Sequence, residues 1–127
     1  MTWESFQCLA SNLRYKEEVL FRDEQDASLI SLKLVQAKSD MLMDLLQSLG
    51  YDSSSDLSDI LDDHTDFLRE ALAYKQLEWY FFELDQGEGS VNRERWKRYK
   101  TGYEGFKSKF PTLVNSQVAA RTVRIYR

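Results

Sequence analysis

A chain of 127 residues fits one domain, and its 43% hydrophobic and 30% charged residues are ordinary for a globular protein. No stretch approaches the ~18 consecutive apolar residues of a membrane span, and the N-terminus lacks the basic and apolar regions of a signal peptide. The single cysteine, Cys8, excludes an internal disulfide. We therefore expect an intracellular protein with no membrane contact.

The first half of the chain predicts two helices. Thr2 can cap a first helix, in which apolar residues at helical spacing are Trp3, Phe6, Leu9 and Leu13. A second helix is predicted from an N-cap at Asp26 to Leu49, and Gly50 follows where a left-handed C-terminal stop is expected. Its apolar positions are Leu29, Ile30, Leu34, Ala37, Met41, Leu42, Leu45 and Leu46.

The second half predicts two more helices. After a polar connection, a long third helix is expected from about Ser58 to Leu84, and its last part, residues 77–84, is apolar nearly all round and should be buried. Ser90 can cap a fourth helix that ends at Pro111. An aromatic stripe repeats along it in steps of three and four, at Trp96, Tyr99, Tyr103, Phe106 and Phe110. We expect the stripe to face the core.

Beyond Pro111 the apolar period changes to two, which is typical of a strand. No hairpin partner for such a strand exists in the chain, so we expect it to pair with another subunit or protein. The fold class expected is therefore mainly α. A small bundle of about four helices covers residues 1–110, and an extended C-terminal arm covers residues 111–127. The arm residues expected to bind the partner are Arg121, Val123, Arg124, Ile125, Tyr126 and Arg127.

Charge is distributed unevenly along the chain. Residues 1–90 hold 7 Lys/Arg and 19 Asp/Glu, a net of −12, whereas residues 91–127 hold 10 and 2, a net of +8. We expect an acidic face with Asp56, Asp59 and Asp63, and a basic helix face with Arg93, Lys97, Arg98 and Lys100. Opposite fields on one molecule favour head-to-tail contact between copies, and a basic end also suits nucleic acid.

Residues with catalytic or metal-binding chemistry are few. The only histidine, His64, aligns with Ile60 and Phe67 on the apolar side of its helix, apart from the neighbouring acids, so a metal site is disfavoured. Cys8 has no second histidine to activate it, and residues 87–89 lack the lysine of a phosphate-binding loop. We therefore expect no enzyme, no cofactor and no bound metal.

Several segments occur in an order typical of one family. They are Asp26-Ala-Ser-Leu-Ile closing at Leu49-Gly50, Ala71-Leu-Ala-Tyr74 with Leu77, Tyr80 and Phe81, the turn 86–89, the stripe Trp96, Tyr99 and Tyr103, and the terminal Val123-Arg-Ile-Tyr-Arg127. In this layout the chain resembles the small head–tail connector (adaptor) proteins of tailed bacteriophages.

The resemblance implies a non-enzymatic virion structural protein at the head–tail interface, made in the host cytoplasm. Members of the family form a homo-oligomeric ring beneath the portal, usually twelvefold, and extend arms to neighbouring proteins. The implied partners are further copies of the chain, the portal protein, and neck or tail proteins. DNA would pass through the lumen without sequence-specific binding, and a lumen lined with Asp56, Asp59 and Asp63 would repel its phosphates.

Two other classes of protein stay open on the sequence alone. One is a small acidic helical inhibitor that mimics DNA, which the acidic run from Asp52 to Asp66 suits and the basic C-terminal part does not. The other is a nucleic-acid-binding module that uses residues 93–100 and the terminal arginines.

Overall fold

The computed structural model describes residues 1–16, 24–85, 87 and 90–113. Within them the chain forms five α-helices: α1 (Ala10–Lys16), α2 (Glu24–Leu49), α3 (Ser58–Asp63), α4 (Thr65–Glu83) and α5 (Val91–Lys107). A 3-10 turn, Ser54–Leu57, leads into α3, and residues 110–113 are again helical. The expected small, mainly helical bundle is confirmed. The predicted strand of the arm, residues 121–127, lies outside the described residues.

Helix α4 is the central element, since it contacts α1, α2, α3 and α5. Late in α4, the Gln76 side-chain amide donates a 2.7 Å hydrogen bond to the Ile30 carbonyl, which lies early in α2. Early in α4, Leu68 shares a buried cluster with Met41 from the second half of α2. Helix α2 therefore runs antiparallel to α4.

Helix α5 lies against another side of α4 and is also antiparallel to it. The Phe67 ring, near the start of α4, is 5.2 Å from the Phe106 ring near the end of α5. The Phe81 ring, near the end of α4, stacks on Tyr99 at 5.8 Å. These aromatic contacts hold α5 in place although Gly102 and Gly105 weaken it as an isolated helix.

The N-terminal segment begins differently from the prediction. Residues 3–5 form a turn, in which Thr2 Oγ1 accepts a 3.3 Å hydrogen bond from the Ser5 amide, and α1 starts only at Ala10. Trp3 and Phe6 are nevertheless buried with their rings stacked at 5.5 Å, because a turn also brings residues three apart together. The predicted N-cap at Asp26 is wrong, since α2 already begins at Glu24.

The long third helix is interrupted at His64, so the prediction of one continuous helix is wrong. His64 has φ −128° and ψ 37°, outside the helical region, and separates α3 from α4. The next residue, Thr65, donates its hydroxyl to the Leu61 carbonyl at 2.5 Å. Short polar side chains compete in this way with the helical hydrogen-bond ladder, and the run of aspartates before it propagates helix weakly.

The helix stop predicted at Gly50 and the helix cap predicted at Ser90 are confirmed, whereas the predicted ends of the fourth helix and of the bundle are wrong. Gly50 has φ 72° after α2, and Ser90 Oγ accepts a 3.1 Å bond from the Arg93 amide at the start of α5. The fourth helix ends at Lys107 instead of Pro111. Leu113 is buried in the core, so the bundle extends past the predicted boundary at residue 110.

Candidate interaction surfaces

The acidic end of the molecule is formed by the residues around the break between α3 and α4. It consists of Asp52, Asp56, Asp59, Asp62, Asp63 and Asp66, all of which are exposed. Asp59 lies in the first turn of α3 and Asp66 in the first turn of α4, where the helix dipole favours a negative charge. The predicted acidic face, Asp56, Asp59 and Asp63, is therefore exposed and lies within this end.

The predicted basic face of α5 is only partly available. Lys97, Arg98 and Lys100 are exposed, but Arg93 is half-buried and its Nε donates to Asp85 Oδ2 at 3.0 Å. The amide of Gly87 also donates to Asp85, and this hydrogen bond, with that of Arg93, holds the pKa of the Asp85 carboxyl below its ordinary value. Arg93 therefore fixes the connection into α5, whereas the other three cations face solvent.

The acidic end and the basic face lie at opposite ends of α4. Phe67 marks the acidic end, and Trp96 of α5 packs on Phe82 with ring centroids 5.4 Å apart. The interval from Phe67 to Phe82 is about 22 Å at ~1.5 Å per residue. These two charged surfaces are thus separated in space, whereas Lys107 and Lys109 lie at the other end of α5, beside Phe106 and Phe110, which pack on Phe67. Three acids near the basic face are each bound in an ion pair: Glu78 with Lys75, Glu83 with Lys33 and Asp85 with Arg93.

An aromatic groove lies beside the basic face, between α4 and α5. It has a volume of about 180 Å³ and is lined by Lys75, Glu78, Trp79, Phe82, Trp96 and Lys100. The prediction that residues 77–84 are buried is wrong at Phe82, which is 48% exposed. The side chains within reach of the groove are anchored, since the Trp79 indole donates to Asp40 at 2.8 Å and Lys75 pairs with Glu78 at 2.7 Å.

The aromatic stripe of α5 is used mainly for packing. Tyr99 and Tyr103 are buried, and the Tyr103 hydroxyl donates to Asp44 Oδ2 at 2.6 Å. Burial, together with this bond to a carboxylate, raises the pKa of Tyr103 above its ordinary value. Trp96 is only half-buried and lies under the Lys100 ammonium, 5.5 Å from its ring centroid. The sequence pattern did not separate Trp96 from the buried members of the stripe.

The nucleophile candidate Cys8 is held in an unreactive state. Burial raises its pKa to about 11, and its thiol donates to the Gln76 side-chain oxygen at 3.2 Å. Gln76 is itself buried and also binds α2, so Cys8 forms part of a structural link between the N-terminal segment, α2 and α4. Thiolate chemistry at neutral pH is disfavoured in such a setting.

His64 lies at the edge of a hollow of about 390 Å³ on the acidic end. Its Nε2 atom is buried and has no hydrogen-bond partner in the structure. Among residues 1–16, 24–85, 87 and 90–113, no three His, Cys, Asp or Glu side chains are grouped so that they could hold a metal ion. In the same residues, no helix combines the length and apolar character needed to cross a membrane.

Two exposed apolar surfaces were not predicted from the sequence. One is the aromatic groove, and the other is the solvent side of α2, where Leu32, Val35 and Met43 are all exposed. A signal for the second was present, because α2 carries apolar residues on more than the one face needed for its core contacts. The predicted partner-binding residues of the arm lie beyond Leu113, outside the part of the chain described. No protein-family model, no curated protein and no solved structure matches this chain.

Proposed function

We propose that this chain is a non-enzymatic assembly protein that forms a ring of identical subunits, in the manner of a head–tail connector. The separation of charge carries the proposal, since the acidic end and the basic face lie about 22 Å apart along α4. Opposite fields on one subunit favour head-to-tail contact between copies. Contacts of this heterologous kind close into a ring when the rotation between neighbours permits it.

In the proposed ring, Lys97, Arg98 and Lys100 of one subunit face the acidic end of the next. These cations suit the role because they are exposed and stand on a helix that carries six Lys or Arg and two Glu. Single exposed ion pairs contribute little, about 0–1 kcal/mol each, so several must act together. The contact should therefore weaken as salt is raised toward physiological strength and above.

The resemblance to phage connectors supports a place for such a ring in the virion, beneath the portal and above neck or tail proteins. In that setting DNA passes through the lumen, and those acids of the acidic end that do not meet a neighbour repel its phosphates. The C-terminal arm, with Val123 and Ile125, then docks on a neighbouring subunit or on the portal.

A charge-swap experiment tests the ring contact. The double variant Lys97→Glu/Arg98→Glu and the double variant Asp56→Lys/Asp59→Lys should each fail to assemble, because each places like charges across the contact. Mixed in equal amounts, the two variants should assemble again in alternation. Sedimentation and electron microscopy at low salt measure the outcome, with Lys109→Glu as a control at an exposed cation outside the basic face.

Two results would contradict the proposal. The first is a wild-type chain that stays monomeric both alone and with a portal-type protein. The second is normal assembly by both double variants, which would show that charge pairing does not form the contact.

Nucleic-acid binding is a second candidate, favoured by the three exposed cations beside the half-buried Trp96 ring. Such binding would lose affinity steeply with salt, because each neutralised phosphate releases counterions. Retention of the chain on DNA at physiological salt, lost in the Lys97→Glu/Arg98→Glu variant, would favour this function over the ring.

A further inference from the structure

The outer face of α2 carries no charge. We use this name for its exposed positions between residues 28 and 47, which are Ser28, Ser31, Leu32, Val35, Gln36, Ser39, Met43 and Gln47. In a chain with 30% charged residues, a solvent-facing helix surface is normally rich in them. Here Leu32, Val35 and Met43 are instead 71%, 78% and 69% exposed. Neighbouring exposed apolar side chains of this kind are typical of an interaction site.

The four charged residues of α2 between positions 28 and 47 do not screen this face, because each of them is directed into a contact within the subunit. Their partners are Glu83 for Lys33, the Trp3 carbonyl for Lys38, the Trp79 indole for Asp40 and the Tyr103 hydroxyl for Asp44. Burial lowers the pKa of Lys38 below its ordinary value, as expected for an ammonium held against the protein. The charges thus flank the outer face and leave its centre apolar.

The order of these flanking charges favours one orientation of a partner helix. The two bases, Lys33 and Lys38, come before the two acids, Asp40 and Asp44, along α2. An antiparallel copy of the same helix brings its acidic half beside the basic half, whereas a parallel copy opposes like charges. We propose that the outer face of α2 binds the same face of a second copy of this chain, with the two helices antiparallel.

The exposed positions also match one register of such a pair. With the twofold axis between residues 37 and 38, Leu32 of one copy lies opposite Met43 of the other. Gln36 then lies opposite Ser39, and Ser28 opposite Gln47. These six positions are exposed and uncharged, so this part of the face is complementary to itself, as an isologous contact requires. The other two positions, Ser31 and Val35, lie opposite the flanking Asp44 and Asp40 of the other copy. The Leu32–Met43 pairs lie on either side of the Gln36–Ser39 pairs at the centre, where small or amide side chains let the helices approach.

The size of the face predicts a weak dimer. From residue 28 to 47 the helix extends about 29 Å, and a helix is roughly 10 Å wide, so each copy buries on the order of 300 Å². Stable specific complexes bury roughly 800 Å² per partner. We therefore expect a dimer that forms at roughly 100 µM or above and dissociates on dilution.

This contact goes beyond the proposed ring and uses a different surface. It is twofold and closes on itself, whereas a ring contact is head-to-tail. It depends on apolar burial, so salt should affect it little, in contrast to the pairing of the acidic end with the basic face. The two proposals can fail independently, since Val35 lies in neither of the charged surfaces.

Sedimentation at several protein concentrations in 0.3 M salt tests the dimer. The wild-type chain should shift from monomer to dimer as its concentration rises to about 1 mM, and Val35→Glu should reduce association at least tenfold. In the proposed register residue 35 lies opposite Asp40, so Val35→Lys should reduce it less than Val35→Glu does. Val91→Glu is the matched control, because Val91 is 64% exposed on α5 and should not affect association.

Cross-linking tests the orientation. In a Cys8→Ser background, Leu32→Cys and Met43→Cys proteins are treated with a short bis-maleimide, separately and as a mixture. Antiparallel pairing in the proposed register predicts a cross-linked dimer in the mixture and little in either protein alone. Parallel pairing predicts the reverse, a cross-linked dimer in each protein alone.

Three outcomes would overturn the proposal. One is a wild-type chain that is monomeric up to about 1 mM. If Val35→Glu then also lowers the free energy of unfolding, the face is covered by another part of the same chain. Another is association that Val91→Glu weakens as much as Val35→Glu. The third is cross-linking in each single-cysteine protein alone.

Discussion

Two glycines of α5, three residues apart, should respond in opposite ways to the same substitution. At Gly105 a Cβ atom would meet nothing within 4 Å. The gain from Gly105→Ala is therefore the helix propensity difference, about 0.5–1 kcal/mol. At Gly102 a Cβ would lie 2.6 Å from Cε1 and 2.7 Å from Cδ1 of Tyr74, closer than real contacts allow. The Tyr74 ring would have to move.

That ring has little room to move. Its centroid lies 5.5 Å from the Tyr99 ring and 5.2 Å from the Phe106 ring, and the Lys16 ammonium lies 5.2 Å from it on α1. Overpacking of this kind costs about 1–3 kcal/mol, which offsets or exceeds the propensity gain of about 1 kcal/mol. We expect Gly102→Ala to be less stable than Gly105→Ala by about 1–3 kcal/mol.

Urea unfolding followed by circular dichroism at 222 nm measures the difference. The midpoint should rise for Gly105→Ala and stay level or fall for Gly102→Ala, with the slope of the transition unchanged. In a Tyr74→Leu background, Gly102→Ala should become favourable, since the ring is gone. Equal stabilisation by both alanines in the wild-type background would refute the role of the Tyr74 contact.

Two further predictions concern titrating groups. Because burial raises the pKa of Cys8 to about 11, native protein at pH 8 should react with a thiol reagent roughly a hundredfold more slowly than unfolded protein, and equal rates would contradict this. Tyr103→Phe should cost about 1–2 kcal/mol at pH 7 through loss of the bond to Asp44. The pKa of Tyr103 is higher in the folded than in the unfolded chain. Its contribution to the free energy of unfolding is therefore fully present below pH ~10 and declines above it, because the tyrosine ionises in the unfolded chain. The gap between wild type and variant in urea midpoint should therefore narrow above pH ~10, and a gap that widens there would rule this linkage out.

Much of the helical layout could be predicted because several helices begin or end at residue types that favour caps and stops. Gly50 adopts the positive φ expected of a helix stop, and the Ser90 side chain caps α5 as its residue type suggests. The break at His64 could not be predicted from apolar spacing, which continues through it. That break depends on the competition of Thr65 for the Leu61 carbonyl, a local effect that leaves the pattern unchanged.

The surfaces were predictable to different degrees. Charged surfaces follow from the sequence directly, since Asp56 and Lys97 have to be near solvent wherever their helices pack. Apolar surfaces cannot be predicted in this way, because Phe82 and Val35 have the residue types of a core. Their exposure depends on which side of each helix contacts a neighbouring helix. Helix α4 contacts four other helices and still leaves Phe82 exposed. The aromatic groove and the outer face of α2 can therefore be identified only from the packing of the helices.

The break at His64 also changes the electrostatic balance of the acidic end. One continuous helix would have offered these six carboxylates a single helix N-terminus, with up to about half a positive charge. The break provides two, one at Ser58 and one at Thr65, each with an aspartate in its first turn. A substitution that made the helix continuous here would complete its backbone hydrogen bonds. It would also remove the positive helix-dipole field at Thr65, which lowers the repulsion among the six carboxylates.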